Sequence, residues 1–252
     1  MTKIRKNLTH ERHFFIEQAG ELKNHLLSWL LLFLIAIFVL FSVGLSKAIV
    51  FGKEMYVPVF SQNSLTVAFF QSFKRNLIPD GVTLIATSPL SVFVSEMKIA
   101  IIGAFIITFP FLLYKLFRYL SPALYVEEKK AALLLIVPST LLFVGGAAFA
   151  YFLLIPPTFS FLYSFNVSLG VTSFFAIDEF ISWTLAAMFA TGILFLLPIF
   201  MYLLSFMRII PPPFWRDQWR VSLIIFLIIS AIITPDPSGV TMFLIALPMI
   251  LL

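Results

Sequence analysis

The chain has 252 residues, of which 61% are hydrophobic and only 12% are charged. Soluble domains carry about 25% charged residues, so this composition excludes a cytosolic globular enzyme, a nucleic-acid-binding module and a disordered tail. The net charge of +5 does not indicate nucleic-acid binding, because the 17 basic residues lie between apolar blocks. The lack of cysteine excludes disulfides, thiolate metal sites and cysteine nucleophiles. The sequence therefore predicts an all-α integral membrane protein.

Six membrane spans are predicted when the chain is divided at its charges, because about 20 apolar residues cross roughly 30 Å of hydrocarbon. Residues 1–25 form an N-terminal segment, and residues 26–252 form a six-helix transmembrane domain. The spans are expected at about 26–45, 88–117, 131–155, 180–207, 221–234 and 240–252.

The last two spans are unusually short. The fourteen residues of 221–234 make a helix of only about 21 Å. Thinning of the bilayer or contact with partner helices would accommodate such a mismatch. Alternatively, Trp219 and Arg220 extend the fifth span by snorkelling.

The connections between the spans carry their own signals. Residues 47–87 predict an extramembrane loop that holds a short amphipathic helix around Leu65–Phe73. Pro156 and Pro157 are expected to end the third span, because neither can donate a helical hydrogen bond. An uncharged, aromatic loop is then expected to continue to Ile177.

Lysine and arginine residues predict the orientation of the spans, because they accumulate in loops on the cytoplasmic side. Five of them precede the first span, and seven more lie in the second and fourth connections. The opposite side has four, all within residues 47–87. Both chain termini are therefore expected to face the cytoplasm, stroma or matrix.

No catalytic, cofactor or metal site is predicted. The sequence contains neither a Walker A motif nor a GxGxxG motif, and its methionine and phenylalanine stripes are typical of helix packing. Ser238-Gly239 comes nearest to an intramembrane serine protease, but no GxSG is present and no histidine follows His25. The chain is thus not expected to be an enzyme.

Two charges interrupt the second span. Glu96 and Lys98 look like intramembrane charges, which often mark function. Lys98, however, lies twenty residues before Arg118, or about 30 Å of helix. This spacing predicts that the pair lies at the outer interface, where lysine can snorkel. Two residues apart on a helix, the two side chains do not face each other.

Acidic residues also lie beside the predicted inner membrane surface. Glu21 precedes the first span by about one turn, and Glu127 and Glu128 lie in the loop after the second span. Carboxylates bind guanidinium groups bidentately, so these residues are candidates for binding a basic peptide. The alternative is that they are solvated loop charges, neutralised by the neighbouring Lys23, Lys129 and Lys130.

Short motifs follow one another in a fixed order along the chain. They are Glu21-Leu22-Lys23, Thr87-Ser88-Pro89 with Lys98, Phe109 to Tyr114 continuing through Ser121 to Tyr125 and Glu128, Phe143 to Tyr151, Gly192 with Pro198, Arg220, Thr234-Pro235-Asp236 and Ala246-Leu247-Pro248. In their order and spacing they resemble the TatC family, the multispanning subunit of the twin-arginine (Sec-independent) protein translocase. The resemblance covers nearly the whole chain.

The resemblance implies a receptor and organising core rather than an enzyme. The family binds paired-arginine signal peptides at the inner membrane face and assembles with small single-span subunits of the TatA and TatB type. Folded proteins then cross the membrane, driven by the proton-motive force. By position, the implied signal-peptide site comprises Glu21, Lys23, Tyr119, Pro122, Glu128 and Lys129. The implied contacts with partner helices are Leu196, Pro198, Thr234 and Asp236.

The chain also departs from the family pattern. Lys23 and His25 stand where the family usually has arginines, and Ser91 replaces a frequent acidic residue. Leu196 occupies the position of a common glutamate or glutamine, so a polar contact with partner helices is not expected there. The resemblance further implies self-association of the chain and a location in a bacterial plasma membrane or in an organelle membrane, mitochondrial inner or thylakoid.

Three other functions remain open on the sequence alone. A small-solute transporter requires a polar path through the membrane, whereas the first, third and fourth spans contain no ionisable residue. A structural accessory subunit of a respiratory or photosynthetic complex fits the apolar composition and would be insensitive to signal peptides. An intramembrane protease is the third alternative.

Overall fold

The computed structural model describes residues 26–50, 53–60, 64–79, 81–120, 133–172, 174–233, 239, 242–243 and 245–246. Within these residues the protein is mostly helical, with two small two-stranded sheets. The helices and strands are α1 (Leu26–Ser42), β1 (Val43–Val50), β2 (Lys53–Phe60), α2 (Leu65–Leu77), β3 (Thr83–Ile85), α3 (Ser91–Leu120), α4 (Ile136–Ser168), β4 (Phe174–Ala176), α5 (Ile177–Phe206), α6 (Pro212–Asp217) and α7 (Trp219–Ile233).

Three of these helices are long and apolar enough to cross a membrane: α3, α4 and α5. The shorter α1 and α7 are also apolar. All five overlap the first five predicted spans. Of the sixth predicted span, 240–252, the structure describes only residues 242–243 and 245–246.

The connection between α1 and α3 contains more regular structure than expected. The predicted amphipathic helix is confirmed as α2, whose N-cap Ser64 accepts a hydrogen bond from the backbone N–H of Val67 at 3.4 Å. Before it, β1 and β2 form an antiparallel hairpin that the sequence analysis did not predict. The hairpin begins at Val43, so helix α1 ends three residues before the predicted end of the first span.

Helix α4 does not end at its two prolines. The predicted loop from residue 156 to Ile177 is wrong, because the helix continues through Pro156 and Pro157 to Ser168. A π-helical turn, Ala150–Leu154, precedes the prolines, and the Ile155 N–H reaches back five residues to the Ala150 carbonyl. This wider turn accommodates residues that lack an N–H, a known cause of local irregularity in long helices.

Helices α1 and α3 run antiparallel. The Trp29 ring contacts Phe105 edge-on at a centroid distance of 6.1 Å, and Phe41 contacts Phe93 at 5.6 Å. Helix α1 therefore begins on the same side of the bundle as the end of α3. We call this the inner side, which the charge distribution predicts to be cytoplasmic, and the opposite side the outer side.

Helices α4 and α5 cross at two glycines. A Cβ atom built on Gly146 would lie 2.8 Å from Phe195 Cγ and 2.9 Å from the Thr191 carbonyl oxygen. One built on Gly192 would lie 2.8 Å from the Phe143 ring. Small residues allow this close approach, which is how membrane helices gain packing energy without a hydrophobic driving force.

The end of α5 is irregular and leads into the last helices. A turn at Phe195 and Leu196 divides α5 into Ile177–Leu194 and Leu197–Phe206. Beyond it Arg208 adopts a left-handed backbone conformation (φ 56°) and redirects the chain. Helix α6 follows, anchored by a 2.9 Å hydrogen bond from Trp215 Nε1 to Ser205 Oγ.

Candidate functional site

A cluster of apolar side chains holds the inner ends of three helices together. Four buried residues form it, and we call them the inner cluster: Phe109, Leu113, Phe117 and Phe143. The rings of Phe109 and Phe143 stack at 4.2 Å with an interplanar angle of 21°. This contact joins α3 to α4 through a preferred aromatic geometry.

Residues before and after a predicted binding loop, the segment 121–132, belong to the inner cluster or pack against it. Leu135 and Ile136, at the start of α4, pack against it, as do Leu203 and Met207 at the end of α5. Phe117 lies three residues before the end of α3. The chain segment 121–132 is therefore flanked at both ends by residues anchored in one apolar cluster.

Three of the predicted functional residues lie within the described part of the chain. Tyr119 is half-buried in the last turn of α3, two residues after Phe117. Leu196 is half-buried and packs against the inner cluster of its own chain. Pro198 is half-buried in the first turn of the second part of α5.

The remaining predicted site residues lie outside the described residues. They are Glu21, Lys23, Pro122, Glu128 and Lys129 of the predicted signal-peptide site and Thr234 and Asp236 of the predicted partner contact. Only the helix ends nearest to them in the sequence can be located. The described part of α1 starts, and α3 ends, on the inner side of the bundle.

Basic side chains surround this inner end. Lys115 Nζ lies 5.0 Å above the ring of Phe111, one helical turn earlier, in a cation–π contact. Arg118 is exposed in the last turn of α3, and Arg208 is exposed just after α5. Among the described residues, the charged side chains named at this end are therefore basic.

The outer end contains polar contacts that the sequence analysis missed. Lys98 Nζ donates a 2.7 Å hydrogen bond to Ser182 Oγ, and Ser182 in turn donates to the Asp178 backbone carbonyl. Thr87 Oγ1 donates to Asp178 Oδ1 at 3.3 Å. Lys98 and Ser182 are 84 residues apart, so no local spacing could have revealed the pair.

A second set of outer contacts attaches α2 to α4. Asn76 Nδ2 donates to Tyr151 Oη at 2.8 Å, and Tyr151 Oη donates to the Ser72 carbonyl at 3.3 Å. Phe73 packs against the Tyr151 ring at 5.5 Å. Within the part of the chain that the structure describes, no cluster of three or more histidine, aspartate or glutamate residues could hold a metal ion.

Comparisons with known sequences agree with this architecture. A family model described as Sec-independent protein translocase protein (TatC) matches residues 17–248. A TatC protein of Cenarchaeum symbiosum is 32% identical over 200 residues, which cover 79% of this chain and 76% of the relative. The TatC protein of Halothiobacillus neapolitanus is 33% identical over 94% of this chain, but the match spans only 59% of the relative's own length.

The similarity extends to an organellar protein and to solved structures. The tatC-like protein ycf43 of Porphyra purpurea is 30% identical over 75% of this chain and 76% of its own length. A crystal structure of the twin arginine translocase receptor TatC superposes with a TM-score of 0.70 at 31% identity, covering 93% of both chains. A second crystal structure of that receptor, in the detergent DDM, gives a TM-score of 0.72.

The family match extends over almost all of the chain, and the helical fold is shared with the receptor structures. The chain is therefore a multispanning integral membrane protein that belongs to the TatC family of Sec-independent protein translocase proteins.

Proposed function

We propose that the chain is the receptor and organising subunit of a twin-arginine translocase. It binds paired-arginine signal peptides at the inner membrane face and assembles small single-span partners for the export of folded proteins, driven by the proton-motive force. The observation that carries the proposal is the structural likeness to a twin arginine translocase receptor over 93% of both chains. The role is one of binding and transport rather than catalysis, in keeping with relatives named as translocase components.

The signal-peptide site comprises Glu21 and Glu128 as the acceptors of the two arginines. Bidentate hydrogen bonds between a carboxylate and a guanidinium discriminate arginine from lysine, which offers no planar fork. The antiparallel arrangement of α1 and α3 supports the pairing of these two carboxylates, because the described part of α1 starts and α3 ends on the inner side. Lys23, Tyr119, Pro122 and Lys129 complete the site.

The inner cluster supports this assignment because it anchors the chain on both sides of the segment that contains Glu128. Receptor loops bind with less loss of conformational entropy when their ends are fixed. Phe117 before the segment that contains Glu128 is a member of the inner cluster, and Leu135 and Ile136 after it pack against that cluster. A folded cargo is thus recognised through its short basic tag, while the apolar helices beneath the loop stay in place.

The partners are single-span subunits of the TatA and TatB type and further copies of the chain. Their helices contact Leu196, Pro198, Thr234 and Asp236. At Leu196 the contact is apolar, because this side chain offers no hydrogen bond and packs at the edge of the inner cluster. Both termini lie on the inner side, in a bacterial plasma membrane or in an organelle membrane.

Charge reversal at Glu128 tests the site. We expect Glu128→Lys to weaken photo-crosslinking of a twin-arginine signal peptide by about tenfold or more, since a hydrogen-bonded charge pair contributes roughly 1.5–3 kcal/mol. Membrane insertion should be unchanged. The matched control is Glu127→Lys, which adds the same charge one residue earlier and should have the smaller effect. Equal crosslinking of both variants and the unmodified chain would remove Glu128 from the site.

A further inference from the structure

An apolar groove runs along the outer half of the helix bundle. It has a volume of about 480 Å³ and lies between α2, α3 and α4. One residue of α1 and two residues of α5 complete its lining. Small residues are part of its lining: Gly103 on α3, and Ala147 and Ala148 on α4. Its rim includes Ile107 and Phe152, whose side chains are 60% and 68% exposed. Rim residues of this kind on helices that cross a membrane face hydrocarbon.

The outer end of the groove is closed by polar groups. Ser72 and Asn76 of α2 line it together with Tyr151 of α4. Asn76 Nδ2 donates to Tyr151 Oη at 2.8 Å, and Tyr151 donates to the Ser72 carbonyl. The groove is therefore amphipathic along its length, with an apolar body and a hydrogen-bonding end at the membrane surface.

The size of the groove limits what it can hold. Its lining residues run from Ile99 to Ile107 on α3 and from Val144 to Phe152 on α4. Eight residues of rise give each wall a length of about 12 Å, close to one leaflet of a hydrocarbon core that is roughly 30 Å thick. A methylene group has about the volume of a water molecule, roughly 30 Å³, so the groove has room for about 16 such groups.

We propose that the groove binds one acyl chain of a membrane phospholipid from the outer leaflet, with the glycerol ester at Asn76 and Tyr151. Water does not fill such a space, because it needs two to four polar partners, and Thr66, the one polar lining residue besides Ser72, Asn76 and Tyr151, already shares a hydrogen bond with Ser64. A helix that crosses the bilayer, about 30 Å long, is about two and a half times as long as the groove. An acyl chain fits the apolar body, the volume and the polar end together. The inference is independent of the proposed signal-peptide site.

Filling the groove tests the proposal. The full chain, purified in mild detergent and stripped of lipid, is mixed with palmitoyl-oleoyl phosphatidylglycerol, and bound lipid is counted by native mass spectrometry. Ala148→Phe and Val144→Phe place a ring in the groove. We expect each to lower lipid occupancy by about threefold. The factor is modest because the detergent micelle also solvates the acyl chain, so that packing contacts alone favour the groove.

The matched control is Leu153→Phe, which adds a ring on α4 at an exposed position that does not line the groove. Its lipid occupancy should equal that of the unmodified chain. Because Val144 is itself 41% exposed, that variant tolerates the larger side chain even if Ala148→Phe fails to fold. Equal lipid occupancy in Val144→Phe, Leu153→Phe and the unmodified chain would overturn the proposal.

Discussion

At the outer end of the bundle, polar side chains join the helices: Lys98 bonds to Ser182 and Asn76 bonds to Tyr151. At the inner end, α3, α4 and α5 meet through stacked and edge-on aromatic rings around Phe143. The described side chains Arg118 and Arg208 are exposed at this end. Among the described residues, aromatic packing therefore joins α3, α4 and α5 at the inner end, whereas side-chain hydrogen bonds join helices at the outer end.

The glycine crossing of α4 and α5 supports both ends, so breaking it should have the largest effect. We expect Gly146→Leu to lower the free energy of unfolding by about 3 kcal/mol or more, because overpacking forces backbone shifts at the crossing. Thermal unfolding in detergent measures the loss. Gly145→Leu is the control, since a Cβ there meets no atom within 4 Å. Equal stability of the two variants would show that the helices separate freely at this point.

Removing the central ring of the inner cluster should have the next largest effect. Phe143 is fully buried, and deleting such a ring from a soluble core costs about 3–5 kcal/mol. In a membrane protein the loss should be smaller, about 2 kcal/mol, because lipid solvates the apolar chain as well as the core does. We expect Phe143→Ala to unfold at a lower temperature than Phe200→Ala, in which the substituted ring is an exposed one. The reverse order would mean that the cluster does not hold the inner end.

The outer polar contact should contribute less. A double-mutant cycle with Lys98→Met and Ser182→Ala should give a coupling energy of about 1 kcal/mol, the range found for hydrogen bonds between membrane helices. Glu96→Gln serves as the control, because it removes a charge from a different face of α3. Purely additive effects of the two substitutions would show that the 2.7 Å hydrogen bond does not stabilise the fold.

The inner charges should matter least for stability. Arg118 is exposed in the last turn of α3, and exposed substitutions usually change stability by no more than about 0.5 kcal/mol. We expect Arg118→Gln to unfold at the same temperature as the unmodified chain. A loss as large as that of Lys98→Met would erase the difference between the two ends.

Sequence patterns predicted the helices whose signals are local. The described part of α1, Leu26–Ser42, lies within the predicted first span, and α2 follows from its amphipathic pattern and its Ser64 cap. The path past Pro156 and Pro157 was mispredicted, because the compensating π turn at Ala150–Leu154 depends on hydrogen-bond register rather than on residue type. The β1–β2 hairpin escaped prediction because its strands lie in a loop defined only by scattered charges.

The site divides in the same way. Tyr119 could be placed near the inner surface because Lys115 and Arg118 mark the end of α3. The partners of Lys98 and Tyr151 could not be predicted, because both contacts join residues more than 70 positions apart. The apolar character of Leu196 was visible in the sequence, but its packing against the inner cluster required the fold.

The proposal that most needs a test is the recognition of paired arginines by Glu21 and Glu128. The most direct test is binding of the purified, detergent-solubilised chain to a twin-arginine signal peptide and to the same peptide with both arginines changed to lysine. We expect about tenfold preference for the arginine peptide, reduced by Glu21→Ala or Glu128→Ala and retained in Glu127→Ala. Equal or absent binding by the folded protein would contradict it and would favour a structural accessory subunit.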